Sequence, residues 1–415
     1  MTEGMDEKPF AECWRRMGLR DRPKYIQELL TDGRTQLADH SGQPKPRPDW
    51  FDEDLYKKGQ ECFRSNCLTL LMLHLVGLLQ IMNVPSILSV LIASGKSDTR
   101  EKAFLRYLET VRMVIGWYRG DVFTAGQCAA KRIATVDGRH ARLFKYAARV
   151  GAGAPTQYDM VLTQWGFCGY ALIRDGPETG LLLRPGYREG LAHFWRCIGH
   201  RLGIPDSLNM CGPDLAEARR RSEAILHFVM RPLLIDQPAH PRFAAMSNAM
   251  LEGVSLIVPP CDNLSYRALA WRLAFPRRHR VPARLWSRIT YQAMMWLFAT
   301  AWLDTWFGAA VRALGNFLLY VAVRTCAHAR FVPWSSNARR KVITFLWLGA
   351  KDLWCGCCEL IGAPSCGRWG KQWFHRRPID DTVAVWRARV VAELREEVLA
   401  GYYDAAPREE GRAAG

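Results

Sequence analysis

Residues 98–120 read DTREKAFLRYLETVRMVIGWYRG. Within them Phe104, Leu105, Leu108, Val111, Val114 and Ile115 recur at spacings of three and four, and Gly120 follows as a stop. That period puts the apolar side chains on one face of an α-helix. The same period continues downstream, so helices are expected over about 126–135, 139–150, 158–172, 191–202, 215–229 and 243–258, with the turn signal Gly151–Ala152–Gly153–Ala154–Pro155 closing the second. No run of alternating strands, internal repeat or strong hairpin signal interrupts them. The expected fold class is all-α, a single large helical domain.

Two apolar stretches flank this series. Residues 67–94 carry no formal charge, and their clearly polar interior residues are His74, Gln80 and Asn83. Lys57, Lys58 and Lys96 stand outside, so the stretch is long enough to span a bilayer. Pro85 divides it into halves each too short to span alone. The readings are two buried helices meeting at Asn83–Val84–Pro85, or a membrane segment. Residues 291–323 are interrupted by Asp304, Arg312 and Asn316. They read as a buried helical hairpin or as one with an anchoring half. Charges inside a span are costly, which favours the core.

Composition bounds the rest. The chain has 415 residues, 49% of them hydrophobic and 23% charged, enough for a large core and against global disorder. Sixteen Trp fit a thick helical core or a membrane-edge belt. Lys and Arg outnumber Asp and Glu by 57 to 40, a net charge of +17 that attracts nucleic acid, acidic head groups or carboxylate-bearing cofactors. Residues 1–10 are polar and show no secretory signal, and the thirteen Cys are scattered, so an intracellular setting with reduced thiols is expected. The expected organisation is a polar arm at 1–50, rich in proline at Pro44, Pro46 and Pro48 and holding one short helix around 25–30. A domain at 51–330 follows, beginning at Trp50, then a basic, Trp-rich extension at 331–415 whose tail beyond Tyr403 is disordered.

Several motifs lead nowhere. Gly95–Lys96–Ser97 resembles the end of a phosphate loop, but Val90 stands where that loop needs glycine, and no strand precedes it. Cys355 and Cys358 have a C-x-x-C spacing with Cys357, Cys366 and His375 nearby, but no second pair follows. Core thiols are the expectation there. Arg277–Arg278–His279–Arg280 is a basic run without interleaved aromatics, and no helix-turn-helix or zinc-finger signature accompanies it, so no nucleic-acid partner is expected.

One constellation remains. Arg106 and Thr110 lie four apart and share a helix face, with Glu109 between them. Thirty positions beyond Thr110 comes His140, read as the start of another helix, with Arg139 and Arg142 beside it. Each residue alone is ordinary. Further on come Gln157–Tyr158–Asp159–Met160, Thr163–Gln164–Trp165–Gly166–Phe167, and His193–Phe194–Trp195–Arg196 leading into Gly199 and Leu202–Gly203–Ile204. In this order and spacing, over about 70–270, the chain resembles the mpaB/rubber-oxygenase (latex-clearing-protein-like) catalytic domains.

That resemblance implies a globin-like haem-pocket core and an oxygenase using haem b. His140 would be the axial ligand to the haem iron. Arg106, Thr110 and Arg139 would line the cofactor, and Arg106, Glu109 and Thr110 would be the catalytic positions. The implied reaction inserts dioxygen across a carbon–carbon double bond of an apolar isoprenoid or lipid, with possible attachment to the endoplasmic reticulum membrane. The residue chemistry agrees. A neutral imidazole is a good fifth ligand that leaves the opposite haem face open. Two propionates want guanidinium partners, for which Arg106, Arg139 and Arg142 are candidates. Apolar helices over about 70–92 would wall the ring. Two departures speak against polyisoprene as the substrate. Glu109 stands where rubber-cleaving members carry a basic side chain, and residues 85–97 lack the carboxylate proposed there as base, a role that passes to Glu109. The alternative is a non-catalytic, membrane-associated helical protein that has lost or repurposed the pocket.

Overall fold

Asn66 turns the chain through 94° between two helices, and the core is assembled around that corner. In the computed structural model, residues 18–329 are described apart from 39–44, 236–240, 256, 258–262 and 277–279. They belong to the first of two units, Met1–Gly349. The extension at 331–415 with its Cys355/Cys358 cluster, and Arg277–Arg278–His279, lie outside the described residues.

In chain order the helices are α1 (Lys24–Leu30), α2 (Asp32–Thr35), α3 (Glu53–Ser65), α4 (Cys67–Ile81), α5 (Pro85–Ala93), α6 (Arg100–Trp117), α7 (Cys128–Arg149) and α8 (Gln157–Ile173). They continue as α9 (Gly176–Thr179), α10 (Tyr187–Arg201), α11 (Leu215–Ile225), α12 (Arg231–Ile235), α13 (Phe243–Val254), α14 (Asn263–Ala274), α15 (Leu285–Ala301) and α16 (Trp306–Ala329). A π-helical turn at Leu226–Met230 joins α11 to α12. Among the described residues there is no strand, only an isolated bridge between Leu37 and Thr156. The fold is all-α, as the periodicity predicts.

Residues 67–94 form α4 and α5, which meet at Asn83–Val84–Pro85, with Pro85 opening α5 where its missing N–H costs nothing. α4 is enclosed by protein: Leu70, Met72, Leu73, Val76 and Leu79 are all buried. Each such side chain contributes roughly 1.5–3 kcal/mol. The corner before it is held by Asn66, whose amide donates to the Leu182 carbonyl at 3.0 Å and accepts from the Leu182 N–H at 2.7 Å. Two helix crossings are made at glycines. A Cβ on Gly77 of α4 would lie 1.8 Å from the Gly166 carbonyl oxygen of α8, and one on Gly59 of α3 would lie 2.4 Å from the Gly190 oxygen of α10. Phe63, Tyr118 and Phe194 stack in series, with centroids 3.8 and 3.9 Å apart. Cys62, Cys168, Cys197 and Cys211 are buried free thiols.

Several expectations need correction. The two helices expected at 126–135 and 139–150 are one helix, α7, of 22 residues. Gly138 does not break it, because a glycine inside a helix costs only about 1 kcal/mol and the strong formers Ala129, Ala130, Lys131 and Arg132 before it and Arg139, Ala141, Arg142 and Leu143 after it carry the helix through. His140 is therefore mid-helix, not at a helix start. The folded part begins before Trp50: Tyr25, Ile26 and Leu29 of α1 are buried, and Tyr25 donates its hydroxyl to the Leu208 carbonyl at 2.8 Å. The helices α3 and α14 have no counterpart in the sequence expectation. Residues 291–323 fall in the α15–α16 hairpin, and each of its helices is buried on one side only.

Candidate active site

α6 and α7 run antiparallel. Near one end Gly116 makes room for Arg132, since a Cβ there would meet the Arg132 side chain at 2.3 Å. Further along, Glu109 pairs with Arg139 at 2.8 Å. Thr110 follows Glu109 and His140 follows Arg139, so the pair sets the two motif residues at one level of the α6–α7 contact. The ion pair is half-exposed, so its stabilising effect is small, within about 1 kcal/mol. Its consequence is the register of the two helices.

Arg106, one turn earlier on α6, reaches the end of α5 and the loop that follows it. Its Nη1 donates to Ser94 Oγ and Ser97 Oγ, each at 3.0 Å. Among the described residues it has no carboxylate partner, so its charge is held by two hydroxyls and left uncompensated. Thr110 donates its hydroxyl to the Arg106 carbonyl at 3.0 Å, a helical back-bond that keeps its oxygen lone pairs available. His140 is half-buried and stacks on Phe144 one turn on, with centroids 5.4 Å apart and planes within 8°. Val111 of α6 and Val136 of α7 are likewise partly buried apolar groups. Arg142 lies exposed on α7.

The later segments of the sequence series turn out to hold the scaffold behind these helices. Gln157 donates to the Gly203 carbonyl at 3.0 Å, and Asp159 caps α8 by accepting from the Thr156 N–H at 2.9 Å. Gln164 bridges Trp195 and Asn209 at 2.8 and 3.0 Å. Trp165 donates to the Ser222 carbonyl at 3.1 Å, and Trp195 to the Tyr118 hydroxyl at 2.7 Å. His193 accepts from the Asp52 N–H at 3.0 Å, fixing the entry to α3. Arg196 lies over the Trp50 ring at 3.7 Å.

One residue without a role in the sequence analysis stands out. His74 on α4 is 6% exposed, and neither ring nitrogen has a hydrogen-bond partner among the described residues. Its ring meets Phe167 at 5.3 Å and Trp195 at 5.8 Å, both edge to face. Burial pushes its pKa down to about 3, so the imidazole is neutral at any ordinary pH. Trp117, also against Trp195 at 6.3 Å, likewise has a buried indole N–H without a partner. The only sequence signal was that His74 is the sole titratable group with a physiological pKa in a charge-free stretch.

A single imidazole, a guanidinium without a carboxylate and partly buried apolar neighbours fit a haem. Among the described residues no three His, Cys, Asp or Glu side chains gather as metal ligands. A cleft of about 260 Å³ lined by Lys24, Tyr25, Glu28, Glu217 and Arg220 shares none of these residues.

The family model described as ER-bound oxygenase mpaB/B'/rubber oxygenase, catalytic domain, matches residues 64–334, about two thirds of the chain, and takes in all the motif residues above. No curated protein and no solved structure matches the chain.

Proposed function

The chain belongs to the family of mpaB/rubber-oxygenase catalytic domains, and we propose that it is a haem b-dependent oxygenase acting on an apolar, unsaturated isoprenoid or lipid. The observation that carries this reading is the Glu109–Arg139 pair, which brings the Arg106–Thr110 helix and the His140 helix into register. When bound, haem supplies the activation of dioxygen. The protein residues have separate tasks. His140, its ring set by the stack on Phe144, would hold the iron. Arg106, seated by Ser94 and Ser97, and the exposed Arg142 would be the guanidinium partners for the propionates. Arg139 contributes through Glu109, whose charge it already meets. Thr110, whose hydroxyl donates to the Arg106 carbonyl, would offer its oxygen lone pairs to a donor in the site. Glu109 is a positioning residue first, and it is also the carboxylate closest in sequence to Thr110 for a proton-accepting role. The acid at 109 and the lack of a carboxylate over 85–97 count against polyisoprene as the substrate.

The test is an absorption spectrum of the full chain expressed with a haem precursor, beside His140→Ala. The expected result is near-stoichiometric haem with a Soret band lost or shifted in the variant. A well-folded helical protein that takes up no haem would overturn the reading and favour a non-catalytic, membrane-associated protein with a repurposed pocket.

A further inference from the structure

The α15–α16 hairpin exposes an amount of aromatic surface that a water-facing hairpin does not need. Trp286 is 67% exposed, Trp296 57% and Trp306 83%. On α15 the exposed apolar positions Leu285, Ile289, Ala293 and Trp296 follow one another at helical spacing, and on α16 so do Trp306, Ala310, Leu314 and Leu318. The opposite faces are in the core, through Tyr291, Met294 and Phe298 on α15 and Leu319 on α16. Contiguous exposed apolar faces of this kind mark an interaction surface.

Charge and geometry select the partner. Over residues 280–329 the cations are Arg280, Arg284, Arg288, Arg312 and Arg324, and the one carboxylate is Asp304. Asp304 is taken up by Arg184 at 2.9 Å. Arg284 and Arg288 lie exposed beside Leu285, Trp286 and Ile289. A second copy would bring the same cationic face against itself, with Asp304, already paired to Arg184, as the one carboxylate to answer those cations. An anionic lipid surface answers both the cations and the Trp-rich apolar stripe. Trp306–Arg324 is long and apolar enough to cross a membrane, with mean hydropathy 1.4 over 19 residues, but it is tied flat onto the domain. The Asn316 side chain accepts from the Leu68 N–H at 2.9 Å and donates to the Arg64 and Ser65 carbonyls at 3.1 Å each. Buried Arg312 donates to the Ala301 and Leu303 carbonyls across the hairpin turn. The helix is thus joined along one side to the corner between α3 and α4 and to the turn that precedes it.

We infer that the exposed face of α15 and α16 docks on anionic lipid head groups, with Trp286, Trp296 and Trp306 entering the head-group layer and the hairpin lying parallel to the surface. This does not rest on the cofactor reading, and its test is indifferent to haem. The purified full chain is floated with phosphatidylcholine vesicles with and without phosphatidylserine, beside Trp296→Glu/Leu314→Glu and Arg284→Gln/Arg288→Gln. These sites are exposed, and circular dichroism checks that the variants fold. The chain should float with phosphatidylserine vesicles and be released by salt. The Glu variant should bind tenfold or more weakly, on the order expected for charges placed in an apolar contact. The Gln variant should lose the preference for phosphatidylserine. Vesicle binding that the Glu variant leaves intact would overturn the inference. So would failure to bind either vesicle, whether light scattering then finds a dimer that the Glu variant dissociates or a monomer whose face its own chain covers.

Discussion

Replacing His74 with Leu should make the protein more tolerant of acid, by an amount that follows from burial. The unfolded imidazole titrates near 6.5, while the folded one is held neutral down to about 3. Above pH 6.5 both states are neutral and the residue adds no pH dependence. Below it the unfolded chain binds a proton that the folded chain refuses, so stability falls by about 1.4 kcal/mol per pH unit until about pH 3. Between pH 7.5 and pH 5 the wild-type chain should lose about 2 kcal/mol from this residue alone, and His74→Leu should not. At pH 7.5 the Leu variant should already be more stable by roughly 1–2 kcal/mol, because two ring nitrogens no longer go unsatisfied in the core. His227 is also held neutral, with a pKa near 4 set by burial and then by Arg231 and Arg174, but it titrates alike in both proteins and cancels in the difference. Urea unfolding of the two proteins at the two pH values measures both quantities. Equal pH dependence, or a Leu variant clearly weaker at pH 7.5, would show that His74 is hydrogen-bonded to something the folded protein holds, and the reasoning would fail.

Two further substitutions probe the frame and the register of the site. Gly77→Ala places a methyl group 1.8 Å from the Gly166 carbonyl oxygen, so it should cost at least about 3 kcal/mol by denaturant unfolding or prevent folding altogether; a neutral result would mean that α4 and α8 separate easily. Glu109→Gln breaks a half-exposed ion pair, so the melting temperature should hardly move, within about 1 kcal/mol of stability, while haem retention during dialysis falls. Unchanged retention would remove the positioning role from the pair.

What the sequence discloses is local. The spacing of Phe104, Leu108 and Val111 is enough to define α6, and Pro85 is enough to divide α4 from α5, because both signals act within a turn or two of the chain. The spacing of Arg106, Thr110 and His140 identified the family for the same reason: it is a linear pattern. The chain's partners are not local. Asn66 bends the core through the backbone of Leu182, more than a hundred residues away, and nothing near Asn66 announces that. Arg106 is seated by Ser94 and Ser97, which the sequence offered only as the tail of a failed phosphate loop. The sequence reading left a gap over 136–138, yet α7 runs through it as one helix. α3 escaped notice for another reason: its residues are mostly polar, and only Tyr56, Gly59, Cys62 and Phe63 are buried.

The backbone contact between Gly77 and Gly166 also governs how the molecule can breathe. With no side chain between them, α4 and α8 can neither roll nor slide past one another without collision, so the centre of the bundle behaves as a fixed keel. α7 is attached differently, packing on α6 and α5 along one side and leaving Arg139, Arg142 and Tyr146 to water. The His140 face of α7 therefore belongs to the one-sided, water-facing flank of the bundle and not to its interlocked centre.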